Sequence, residues 1–158
     1  MRIFAIPGTS LIGALFLSIG LTETAAAQNS VPLPDPSHIS ITLPKDLKWS
    51  TGVEQQQANL FGDPSKPGLY GVLYRWAPNH FSKPHFHTTD RYVYVVSGTW
   101  WVSASDTYDP DKTYPVPAGS FVVDIANTVH WDGAKGEPCI LEVVGEGPMK
   151  TVPVPTTK

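Results

Sequence analysis

Strand-length apolar runs, cut at short intervals by glycine, proline, aspartate and asparagine, leave this chain little choice but β-structure. Residues 69–76 make one run, and 92–96 and 99–102 flank a Ser97-Gly98 turn as a hairpin. Runs at 120–125, 129–131 and 139–144 follow, with separators at 62–64, 109–111, 117–119 and 133–136. No long stretch has helical periodicity, although residues 54–60 are expected to form one or two helical turns. Many short strands at this spacing, without an internal repeat, predict an all-β sandwich or barrel.

The ends read differently. Arg2, an apolar run over 11–21 and the small residues Ala25, Ala26 and Ala27 have the layout of a cleaved secretory signal covering 1–27. Gln28, not cysteine, follows the cleavage point, which argues against a lipid anchor, and the apolar run is too short to span a bilayer comfortably. The reading divides the remainder into a Pro-rich extended arm (28–46), a barrel domain (47–150) and a flexible tail (151–158). It places the mature protein in the periplasm or outside the cell.

The net charge of −3 is too mild to imply nucleic acid or a membrane surface as partner. Cys139 is the only cysteine, so no internal disulfide forms. It lies in an apolar strand, where a buried, inert thiol is expected. No Ser-His-Asp order, P-loop or dinucleotide fingerprint appears.

Chemistry enters with His85 and His87. Side chains two apart in a strand project to the same face, so the two imidazoles stand side by side. A third, His130, brought in by the fold, would complete one side of a metal ion. The bland alternative is a pair of half-buried histidines that only make hydrogen bonds. His38 and His80 lie outside this pattern and are expected at the surface.

These residues resemble a known superfamily. The stretch PHFHTTDRYVYVVSG (84–98) is similar to the first cupin motif, and PAGSFVVDIANTVHW (117–131) is similar to the second, closing on His130. GDPSKPG (62–68), SGTWW (97–101) and VVGEGP (143–148) resemble flanking segments of small bacterial single-domain cupins. The resemblance implies a jelly-roll β-barrel and a metal site built from both H-x-H histidines, an acidic residue and the later histidine. It also implies a homodimer as the oligomer to expect.

The match is incomplete, because the acidic slot holds Arg91. Arginine cannot ligate a metal, and its charge opposes a dication. Ile125 and Asn127 stand where proline and glycine are usual; the second change is benign, since asparagine tolerates left-handed backbone. Three outcomes are open. A one-residue bulge could turn Asp90 inward as a fourth, oxygen ligand. His85, His87 and His130 could hold the metal alone, leaving positions for substrate and dioxygen, a pattern that resembles cupin dioxygenases of thiols and diketones. Or the metal is lost and Arg91 binds an anionic ligand. The second is preferred.

Of the aromatic residues, Trp76, Trp100, Trp101 and Tyr94 are expected in the core or an interface. Trp100 and Trp101 must face opposite ways, and Trp131 should point away from the barrel interior. The functional expectation is one divalent transition metal, Fe(II) first with Mn(II), Ni(II) or Zn(II) as alternatives. The metal would serve a dioxygenase-type oxidation of a small anionic or chelating molecule, with Arg91, if inward, pairing with a substrate carboxylate. A non-enzymatic protein that binds or senses a small ligand or a metal is the rival.

Overall fold

The computed structural model describes residues 32–155, so the proposed signal at 1–27 and the last three residues lie outside the described part. The chain divides into two units, Met1–Ser40 and Ile41–Lys158. In the first, the described arm is not simply extended. His38 N and Ile39 N both donate to Asp35 O, and Asp35 Oδ1 accepts from Ser37 N, which closes a turn.

The described residues of the second unit are all-β apart from two short 3-10 turns, Pro44–Asp46 and Pro110–Lys112. Its strands are β1 (Gln55–Phe61), β2 (Gly68–Trp76), β3 (His80–Phe81), β4 (His85–His87), β5 (Arg91–Ser97) and β6 (Thr99–Ser103). They continue with β7 (Tyr114–Pro117), β8 (Phe121–Asp124), β9 (Trp131–Ala134), β10 (Cys139–Gly147) and β11 (Thr151–Pro153). One antiparallel sheet runs β1-β2-β10-β5-β8, a second runs β3-β9-β6-β7, and β4 pairs with β11.

β10 is the spine of the larger sheet, with β2 on one side and β5 on the other. Alternation along β5 turns Arg91, Val93 and Val95 inward and Tyr92, Tyr94 and Val96 outward. The core gathers Tyr70, Val72, Val93, Val95, Leu141 and Val143 from that sheet with Trp100, Val116 and Ala134 from the other. Each fully buried valine contributes about 1.5–3 kcal/mol by leaving water.

Trp100 is buried, whereas Trp101 faces outward beneath Lys135, whose Nζ sits 4.1 Å from the ring centroid. Trp131 is buried outside the main core, against Phe81 and Tyr108. Tyr94 is exposed rather than in the core.

Several sequence expectations need correction. Residues 54–60 form no helical turn: Gln55–Phe61 pairs along β2, where an edge strand tolerates its polar glutamines. The predicted run at 129–131 shifts, so that His130 makes only an isolated bridge to His85 and the strand proper begins at Trp131. Gly133, expected in a turn, lies in β9. A Cβ there would sit 2.2 Å from His80 O, so only glycine lets β3 approach. The tail is not free from residue 151 onward, because Thr151–Pro153 pairs with His85–His87 and Val154 N donates to Pro84 O.

Candidate metal centre

β4 carries His85 and His87 to one face, and the turn before β9 returns His130 to them. That turn needs a left-handed residue, and Asn127 supplies it with φ 60° while its N–H donates to His87 O. His85 and His130 then exchange two backbone hydrogen bonds of 2.9 Å each. One ligand atom from each of the three imidazoles falls within 4.8 Å of the others.

The outer hydrogen bonds settle which ring nitrogens face inward. His85 Nδ1–H donates to Lys83 O (2.7 Å) and His130 Nδ1–H to Thr128 O (3.1 Å). A carbonyl only accepts, so in the neutral form of either ring Nε2 carries the lone pair. His130 Nε2 is buried with no hydrogen-bond partner among the described residues. His85 Nε2 and His87 Nε2 are 3.1 Å apart. Two inward lone pairs, one of them orphaned, are what a metal ion would satisfy, so the residues present fit one.

Burial, with the positive charge of Arg91 as the next cause, holds His87 down to about 2. Burial also lowers His85. Both rings are therefore neutral at pH 7 and suited to ligation.

Arg91 points inward and is buried, but it is not free for a substrate. Its Nε and Nη2 donate to Asp124 Oδ2 at 2.7 and 2.5 Å. The β5–β8 register sets the two residues directly opposite one another. Asp90 does not turn inward: it is exposed and accepts from Ala126 N at 2.7 Å, with no bulge in β5 beside it. Among the described residues, the carboxylate within ion-pair reach of the histidines is thus Asp124, its Oδ1 lying 3.3 Å from His130 Nδ1. Nothing in the linear spacing marked it, because a cross-strand partner depends on register.

A cavity of about 300 Å³ opens on His85 and His87, and Gln55, Tyr74, Trp76 and Asp132 are among its lining residues. Asp132, also unmarked in the sequence, is buried and held by Trp100 Nε1 (2.8 Å) and Ser82 Oγ (3.0 Å). Burial pushes the Tyr74 phenol up, so it stays protonated as a donor. Trp76 Nε1 is buried without a partner among the described residues. His80 is half-buried, bonded to Pro78 O and away from the centre.

No protein-family model matches the chain, and no curated protein sequence matches it. Solved structures do. The polyketide cyclase RemF from Streptomyces resistomycificus is 19% identical, with a TM-score of 0.63 over 76% of this chain and 88% of that one. An RmlC-like cupin from Ralstonia eutropha is 21% identical, with a TM-score of 0.54 over 68% of each chain. A cupin-2 domain from Rhodospirillum rubrum is 13% identical, with a TM-score of 0.56 over 73% of this chain and 79% of that one. With two antiparallel sheets around one core and three histidines gathered at its edge, the chain has the cupin jelly-roll fold and a histidine group able to hold a metal.

Proposed function

We propose that this chain is an exported cupin-fold protein that holds one divalent metal through His85, His87 and His130. It would act on a small anionic or chelating molecule in the adjoining cavity. The observation that carries the reading is the convergence of the three imidazoles, with Nε2 of His130 buried and unpartnered among the described residues.

Three neutral ligands leave a dication its full charge, which favours oxygen-rich anionic ligands. When bound, such a metal supplies Lewis acidity and, if it is Fe(II), access to dioxygen chemistry. Fe(II) is our first choice, with Mn(II), Ni(II) or Zn(II) as alternatives, and a dioxygenase-type oxidation is the specific reaction. Gln55, Tyr74 and Trp76 offer donors to substrate oxygens, while Val93, Trp100, Leu141 and Val143 add largely apolar lining. That Arg91 is already bonded to Asp124 weighs against the metal-free, anion-binding outcome. The likeness to a polyketide cyclase supports an enzyme on this fold. The exposed row Tyr92, Tyr94, Val96, Phe121 and Val123 on the outer face of β5 and β8 supports a homodimer.

The test is metal content by elemental analysis of protein purified without a chelating tag, beside His87→Ala, followed by dioxygen uptake with candidate substrates. About one equivalent of metal, lost in the variant, supports the centre. Saturable ligand binding without turnover would replace the enzyme with a binding protein. No metal after reconstitution sinks the reading.

A further inference from the structure

A buried guanidinium beside three imidazoles is an obstacle to a cation. Arginine stays protonated, and in a low-dielectric site its charge repels a dication strongly. Yet Arg91 does not stand alone. Arg91 and Asp124 are only 7% and 9% exposed. Both Arg91 hydrogen bonds go to one oxygen, Oδ2, which lies 3.9 Å from His87 Nε2. The other oxygen, Oδ1, faces His130 Nδ1 at 3.3 Å. The carboxylate therefore sits between the guanidinium and two of the three imidazoles. Asp132, the other buried acid among the described residues, is taken up by Trp100 and Ser82.

We propose that Asp124 is the acidic group of this centre, supplied from the strand opposite Arg91, and that its charge cancels Arg91 so that the three imidazoles accept a dication. The proposal rests on the histidine-centre reading and adds the residue pair that sets its affinity. Arg91 becomes a brake on metal binding that Asp124 holds off, not a receptor for substrate.

A double-mutant cycle tests this, with Zn(II) and Co(II) affinities measured by isothermal titration at fixed pH and salt. Asp124→Asn keeps the size of the side chain and an oxygen that accepts from Arg91, but removes the charge. It is expected to weaken metal binding at least about tenfold. Arg91→Gln leaves the carboxylate unopposed and is expected to tighten binding by at least about tenfold. The double variant Arg91→Gln/Asp124→Asn restores neutrality and is expected to return to within about threefold of the parent.

Equal affinity across all four proteins overturns the role of Asp124 while leaving the centre intact. So does a double variant as weak as Asp124→Asn. Metal bound by none of them, the parent included, overturns the centre and the pair together. Should Asp124→Asn fail to fold with Arg91 unpaired, Arg91→Gln decides alone: tighter binding supports the proposal, and unchanged or weaker binding overturns it.

Discussion

Thr151 and His87 face each other across β4 and β11, with the threonine Oγ1 3.1 Å from His87 Nδ1. A hydroxyl donates or accepts, so it serves either tautomer of the ring. Without metal, His87 Nε2–H donates to the lone pair of His85 Nε2, and Thr151 donates to Nδ1. A bound metal would require the Nε2 lone pair of His87; the ring's proton would then sit on Nδ1, and Thr151 Oγ1 would accept its hydrogen bond.

Thr151→Val keeps the shape of the side chain and its strand but removes that hydroxyl. Metal affinity is expected to drop about tenfold, the range seen when outer partners of ligand histidines are lost. Equilibrium dialysis with Zn(II), beside a circular dichroism spectrum to verify the fold, checks it. Unchanged affinity would show that Thr151 contributes pairing alone.

Acid should destabilise the metal-free protein through His87. In the unfolded chain its imidazole takes a proton near the ordinary 6.5, whereas in the fold burial and Arg91 hold it down to about 2. Between those values the unfolded state binds more protons, so stability is present above pH 6.5 and is lost as pH falls below it. Tm in the presence of a chelator is expected to fall steadily from pH 7 to 5, above the usual carboxylate range, and to fall less in His87→Gln. A flat profile over that interval would contradict it.

Cys139 is wholly buried opposite Trp76, and burial pushes its thiol up to about 12. The folded protein is expected to leave a thiol reagent unreacted at pH 8, with one equivalent consumed in denaturant. Prompt labelling of the native protein would place this strand nearer solvent than the fold has it.

Two turn glycines should respond differently to alanine. Gly119 has φ 88° and open space around a would-be Cβ, so Gly119→Ala is expected to cost only the left-handed penalty of about 1–2 kcal/mol. Gly98 has φ 71°, and a Cβ there would sit 2.2 Å from Pro138 O, so Gly98→Ala should cost about 3 kcal/mol or more. Chemical denaturation of both variants gives the order, and equal losses would remove the clash argument.

What the sequence determined by itself was whatever depends on the two-residue repeat of a strand or on one residue's backbone preference. The hairpin at Ser97-Gly98, the shared face of His85 and His87, the opposed faces of Trp100 and Trp101 and the left-handed Asn127 all follow from local geometry. His130 was marked differently, by the resemblance of its segment to a family motif and not by local geometry. The tertiary structure alone decided which residues stand across from one another. Register put Asp124 against Arg91 and left Asp90 outside, and pairing drew the polar segment at β1 and the Pro-rich tail at β11 into strands. Those choices depend on backbone groups finding partners far along the chain, and nothing in the spacing of one strand records what its neighbour will carry.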